Sequence, residues 1–331
     1  MSKQSQKNVL YYLSGYRNNL IQYLNGVTKK NPGKYYANLF TNWYLNSNRK
    51  NLVPQSPLYD IDDFKYAKNN FVLLAKPSEM VKECEEIYKV FLKSLKTEKV
   101  SKKYRYIPKL FSKKQELRLE KIHIGKGKYE NHRNELMEIL KFLGGFSNHL
   151  SIPPQIFKGD GITELFGTSV NTSYKFCSPF EVDKKFGSLG SFFNLELTSG
   201  MYVANPPFNE KIMTKMSNML ISQLEKKGEE IDIIITIPVW DSVSQKKYNL
   251  TDYGMPFQGF EILDTSDFLV EKLFLPKYYA YYSYYADKFI SASATHLILL
   301  SNYETEKSLD VYKSRWKAVS YTHLRAHETD S

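Results

Sequence analysis

The sequence predicts an α/β sheet preceded by a helical domain, and three observations predict it. Apolar residues recur at helical spacing through the first part of the chain. Beyond Pro154 short apolar runs alternate with helices. Between two of these helices lies the β-branched run Ile231 to Ile237, which suits a strand covered on both faces.

The elements follow in order. Val9, Leu13, Tyr16, Leu20 and Leu24 trace a first helix; Met80, Val81, Cys84, Ile87, Tyr88, Phe91, Leu92 and Leu95 trace a second, with Pro77-Ser78 as its start signal. A third helix carries Leu136, Ile139, Leu140 and Leu143 and ends at Gly144-Gly145, with Pro153-Pro154 soon after as a breaker. The boundary between domains is placed there, giving a mainly helical domain over 1–150 and a second domain over 151–316. In the second, Tyr202-Val203-Ala204 ends a strand, and Ile212, Met216, Met219, Leu220 and Leu224 line one face of a helix stopped near Gly228. Leu269 to Leu275 and His296 to Leu300 are expected to pair as a terminal hairpin at one edge of the sheet. A tyrosine-dense stretch runs from Tyr278 to Tyr285. The segment 317–331, KAVSYTHLRAHETDS, is read as a non-native tail, because from Ala318 onward it resembles translated adapter read-through; its His323 and His327 are therefore not read as metal ligands.

Composition narrows the function classes. No apolar run approaches the ~18 residues a membrane span needs, and the N-terminus lacks a secretory signal, so an intracellular protein with no membrane partner is expected, its compartment undetermined. The two cysteines, Cys84 and Cys177, lie far apart and in no CxxC pair, which argues against a disulfide framework or a zinc site; both read as packing residues. No metal is expected. The formal charge of +11 is concentrated between Lys93 and Lys128, where thirteen lysines and arginines face three glutamates. That stretch, interleaved with Tyr104, Tyr106 and Phe111, suits either a solvated face or a surface that tracks a phosphate backbone.

The segment that carries chemistry is Asn205-Pro206-Pro207-Phe208, between a strand-like and a helix-like segment. An exocyclic amine on a base is a poor nucleophile because its lone pair is delocalised into the ring, so catalysis depends on placing the nitrogen beside an electrophilic methyl group. The Asn205 side-chain oxygen and the Pro206 carbonyl suit the two amine hydrogens. Two prolines fix φ and stiffen the turn, and Phe208 offers a π-face to a base. Such a segment points to S-adenosylmethionine-dependent methyl transfer to an amino nitrogen, on adenine, cytosine or a glutamine amide, with no metal required.

Several motifs in order set the segment in context: Glu164-Leu165-Phe166-Gly167-Thr168 with Asn171, Cys177-Ser178-Pro179-Phe180, Phe186-Gly187-Ser188 with Gly190, Ser199-Gly200, Ala204 to Phe208 with Glu210, Ile237-Pro238 with Trp240, and Leu273 with Leu275-Pro276. In this series the stretch Ile162 to Tyr303 resembles the catalytic domain of the phosphorylated CTD-interacting factor 1 family of cap-specific adenosine N6-methyltransferases. The resemblance implies a Rossmann-like class I S-adenosylmethionine-dependent sheet and N6-methylation of the 2'-O-methyladenosine next to the 7-methylguanosine cap, with capped mRNA as partner. Internal RNA or DNA, or a catalytically silent RNA-binding relative, remains the alternative. The resemblance also implies that Asn205 to Phe208 hold the amine and cofactor, that Phe186, Gly187 and Ser188 lie near S-adenosylmethionine, and that Glu210, Trp240, Asp241 and Ser242 contact the substrate. Tyr278 and Tyr279 do not match the family's residues, but their place just after Leu275-Pro276 makes them candidates to line the cofactor pocket. The helical domain would contribute to RNA or cap binding. Two positions depart from the family pattern: Leu189 stands for an arginine and Val239 for an acidic residue. Trp43, Trp240 and Trp316 are too widely spaced for a WW module, so none is expected, and no binding to the RNA polymerase tail.

Overall fold

The computed structural model describes residues 3–29, 36, 40, 43, 49–50, 53–54, 72–97, 150–172, 174–250, 257–283 and 288–328. The basic stretch beyond Thr97, the third expected helix and the interdomain boundary lie outside these residues. The chain divides into two compact units, 1–144 and 145–331.

In the first unit, helix α1 (Lys3–Gly26) packs on helix α2 (Pro77–Thr97). The apolar spacing read from the sequence is the buried face: Leu13, Tyr16, Leu20 and Leu24 of α1 and Met80, Cys84, Ile87, Tyr88 and Phe91 of α2 are all buried. Tyr16 stacks on Phe91 with ring centroids 5.0 Å apart, a contact that adds ~1 kcal/mol beyond area burial. Burial pushes the Cys84 thiol well above its ordinary range, as expected of a packing residue. Two short strands, β1 (Arg49–Lys50) and β2 (Val53–Pro54), pair antiparallel.

The second unit opens with strand β3 (Leu150–Ser151), followed by β4 (Thr163–Glu164), β5 (Lys175–Phe176), β6 (Gly200–Ala204), helix α3 (Glu210–Leu224) and β7 (Ile231–Pro238). After short helices α4 (Ser242–Lys247) and α5 (Gln258–Asp264) come β8 (Leu269–Leu275), β9 (Tyr281–Ser283), β10 (Lys288–Ile290), β11 (Thr295–Ser301) and helix α6 (Leu309–Glu328). Six strands form one sheet in the order β5-β4-β6-β7-β11-β8. The first four run parallel, and β11 lies antiparallel between β7 and β8.

The two-residue alternation of β7 explains why the sheet is covered on both faces. Ile231, Ile233, Ile235 and Ile237 face α3 and α5, where they pack with Met213, Met216, Leu220, Leu224 and Phe260. Ile234 faces the other way, with Val203, Leu297 and Leu299, toward Phe157, Tyr281, Tyr312 and Trp316. Asp232 and Thr236 are buried in the same strand, and by its alternation share the face of Ile234. Asp232 accepts from Tyr303 at 2.6 Å.

The expected hairpin differs in one respect. β8 and β11 do pair antiparallel, but β9 and β10 lie between them in the chain and join β3 in a separate sheet, order β10-β9-β3. That pairing joins residues far apart in sequence, which local patterning does not reveal. The segment read as a non-native tail continues α6 to Glu328, where buried Ser320 accepts from the Ala280 N–H at 3.1 Å. Among the described residues no helix is long and apolar enough to cross a membrane.

Candidate active site

From β4 the chain crosses to β5 on one side of the sheet, whereas β6 lies on the other side of β4. A crevice opens at the carboxyl ends of strands where order reverses in this way, and ligands of open α/β sheets bind there. The loops at this position are Leu165–Thr172 after β4, Cys177–Phe180 after β5 and Asn205–Asn209 after β6.

Asn205 follows Ala204, the last residue of β6 and the register partner of Ile235, which sets Asn205 beside Thr236 of β7. Its carboxamide is buried and held at both ends: Nδ2 donates to the Leu150 carbonyl at 3.1 Å, and Oδ1 accepts from the Thr236 hydroxyl at 2.9 Å. Oδ1 keeps one acceptor position beyond Thr236. Pro206 is buried, and the Pro207 carbonyl accepts from Asn209 N–H at 2.7 Å, closing the turn. The Asn209 side chain then caps α3 by accepting from Ile212 N–H at 3.2 Å, so the tetrapeptide is anchored by a strand at one end and a capped helix at the other.

Half-buried Phe208 sits edge-on to two rings, Trp240 at 6.4 Å and Tyr281 at 5.9 Å between centroids. Trp240 is therefore brought to the tetrapeptide, and it packs further on Phe257. Glu210 begins α3 and accepts from Thr214 at 3.0 Å. Asp241 turns inward instead: it caps α4 by accepting from Ser244 N–H at 2.7 Å and lies 3.1 Å from His296 Nε2. Burial works against its ionisation, but the hydrogen bonds from His296 and Ser244 outweigh this and hold its carboxyl below the usual range. Its partners are thus internal, while Ser242 beside it is exposed.

Phe186, Gly187 and Ser188 run alongside β5, where Leu189 N–H donates to the Phe176 carbonyl at 2.9 Å. Gly187 has φ 95°, a left-handed conformation that closes the turn preceding it and that glycine adopts without strain. What ties this loop to the crevice is Asp183, which sequence reasoning did not single out. Its buried carboxylate accepts from Ser178 at 2.5 Å and from Ser169, so one side chain joins the loops after β4 and β5. Burial lifts its pKa to about 6 against these hydrogen bonds. Glu164, the last residue of β4, is also buried, and desolvation pushes it up to about 7 with a hydrogen bond from Thr172 opposing. Gly167 packs so closely above it that a Cβ would stand 2.9 Å from that of Phe176.

Tyr278 and Tyr279 stack on each other at 4.8 Å. Tyr278 is half exposed, whereas Tyr279 is buried against Trp316, its pKa raised to about 12 by burial. Among the described residues of the tyrosine-dense stretch it is Tyr281 that meets the tetrapeptide.

The class of protein outlined here is an α/β protein with an Asn-Pro-Pro-Phe turn at the switch point of a mostly parallel sheet. Residues 149–284 match the family described as "Phosphorylated CTD interacting factor 1 WW domain". The chain is similar to the mouse protein named mRNA (2'-O-methyladenosine-N(6)-)-methyltransferase, 35% identical over 79 residues, 23% of this chain and 11% of that relative. It is similar also to the human protein of the same name, 33% identical over 99 residues, 27% of this chain and 14% of that relative. The matched stretches thus span about a seventh or less of these relatives' lengths. The family match corrects one expectation: the chain was read as lacking the WW module, and hence as unable to bind the polymerase tail. That inference rested on tryptophan spacing, but the matched segment contains Trp240 alone of the three tryptophans, so spacing between tryptophans was no guide to what this family comprises.

Proposed function

We propose that this chain is an S-adenosylmethionine-dependent methyltransferase that places a methyl group on N6 of the 2'-O-methyladenosine adjoining the cap of mRNA. The observation that carries the reading is the Asn205 carboxamide, pinned at the switch-point crevice with an acceptor position still to fill. The strand order supports it: β4, β5, β6 and β7 parallel, with a single antiparallel strand between β7 and β8, suits a class I methyltransferase sheet, and the tetrapeptide follows β6 at its carboxyl end. The names of the mouse and human relatives supply the substrate.

The crevice suits the methyl donor. The loops after β4, β5 and β6, Leu165–Thr172, Cys177–Phe180 and Asn205–Asn209, carry no lysine or arginine to pair with a phosphate, which suits a cationic sulfonium better than a phosphate-bearing cofactor. The Leu165–Ser169 loop and Phe186 to Ser188 would hold the cofactor, which supplies an electrophilic methyl group when bound. The chain's own work is positional. Asn205 Oδ1 and the Pro206 carbonyl take the two amine hydrogens, which turns the nitrogen lone pair toward the methyl group. Phe208, braced by Trp240 and Tyr281, offers a stacking surface for the base. Glu210, Trp240 and Ser242 contact the capped strand in this reading, whereas Asp241 serves by fixing the Trp240 turn from inside.

The test is methylation of matched RNAs, capped or uncapped and beginning in 2'-O-methyladenosine or guanosine, read by mass spectrometry. Product is expected only from the capped adenosine RNA, with Asn205→Ala slower by about 10²-fold or more. Product from uncapped RNA or DNA would keep the chemistry and move the substrate. Cofactor binding with no nucleic acid methylated would overturn the proposal.

A further inference from the structure

The pinning of Asn205 extends inward. Thr236 donates its one hydroxyl hydrogen to Asn205 Oδ1 at 2.9 Å, and both side chains are buried. Tyr281 lies 2.9 Å from the Thr295 hydroxyl, whose own hydrogen goes to the Ser293 carbonyl at 3.2 Å, so the phenol donates to Thr295 and has no hydrogen for Thr236.

The other end of the carboxamide sets its sense. Leu150 presents a carbonyl, which only accepts. Turning the amide over would place Asn205 Oδ1 against that carbonyl, two acceptors facing without a hydrogen between them. The Leu150 carbonyl thus rejects the flipped amide, and the Thr236 hydroxyl supports the correct one. The two parts arrive from different sheets: β3 carries Leu150, and β7 carries Thr236.

We infer that Thr236 is a positioning residue, a buried hydroxyl that holds the Asn205 carboxamide with its oxygen directed for the target amine. This rests on the methyltransferase reading of the Asn-Pro-Pro-Phe turn. The hydroxyl need not touch substrate; it acts through Asn205.

The test uses the full chain with Thr236→Val and Thr236→Ser, turnover being normalised to cofactor-binding sites. Thr236→Val is expected to lower kcat by about tenfold or more while KM for capped RNA and Kd for the cofactor move less than about twofold. Thr236→Ser, which keeps the hydroxyl, retains most of the rate. Side-chain amide signals of ¹⁵N-asparagine-labelled protein, assigned with Asn205→Ala, give a readout independent of turnover: the Asn205 pair exchanges slowly with solvent in the parent and faster in Thr236→Val. Unchanged kcat together with unchanged exchange in Thr236→Val would overturn the inference even with an active parent. An inactive parent with altered exchange would instead uphold the Thr236 support of Asn205 and remove the methyltransferase reading beneath it.

Discussion

Asn205 is useful only because its two ends are committed differently, and the same economy appears at the buried carboxyls of the crevice. Glu164 rises from an ordinary 4.5 to about 7 and Asp183 from 3.8 to about 6, both through desolvation. A carboxyl whose folded pKa is raised holds its proton more tightly in the native state, so its contribution is fully present at low pH and is lost as pH climbs from the unfolded to the folded value. For Glu164 the window runs from about pH 4.5 to about pH 7, and at 1.36 kcal/mol per unit the loss is of order 3 kcal/mol. Glu164→Gln, which removes the titration and keeps a hydrogen-bonding oxygen for Thr172, should narrow the fall in unfolding free energy between pH 5 and pH 8. Urea unfolding of parent and variant at the two pH values measures this; equal slopes would show that Glu164 is not the group responsible.

Among elements, the contact of α3 with α5 is the tightest point near the tetrapeptide. A Cβ on Gly259 would stand 2.9 Å from the Thr214 backbone nitrogen and 3.0 Å from the Met213 carbonyl carbon, and Ser217 bonds the carbonyls of Met213 and Gly259 at this crossing. Backbone cannot yield as a flexible side chain would, so Gly259→Ala should cost about 1–3 kcal/mol, seen as a lower denaturant midpoint at unchanged m-value. This crossing was not legible in the sequence, whereas α1, α2, α3, β6 and β7 were, because each is long enough for its apolar period to repeat. β4 and β5, at two residues each, are too short to show a period. The Asn-Pro-Pro-Phe turn was legible as a candidate from its residue types alone. Its supports were not: Thr236 is 31 residues away and Leu150 is 55. Asp183 read as one acid among many, although it joins two loops. In the tyrosine-dense run the strand's register decides which ring turns inward, so Tyr281 rather than Tyr278 or Tyr279 meets Phe208, and no local pattern shows where that strand begins.

For the molecule as a whole, the charge of +11 bears on partners more than on fold. Its concentration in the basic run of the first unit predicts that affinity for a capped single strand falls by roughly 50-fold between about 50 and about 200 mM salt, a log–log slope near −3 for about four neutralised phosphates. Fluorescence anisotropy across salt tests this, and replacing Lys102, Lys103 and Arg105 by glutamine should flatten the slope without altering kcat. The second unit gathers its site from distant parts of the chain: Leu150 steadies Asn205, and Tyr281, which flanks Phe208, is itself braced by α6, where the Trp316 ring meets it at 5.3 Å and the indole N–H holds the Ala280 carbonyl at 2.8 Å. In order of synthesis α6 comes well after the tetrapeptide. A nascent chain still lacking it carries every residue of the Asn-Pro-Pro-Phe turn but not the pocket wall that Trp316 braces, so on the ribosome this site matures only after α6 has emerged.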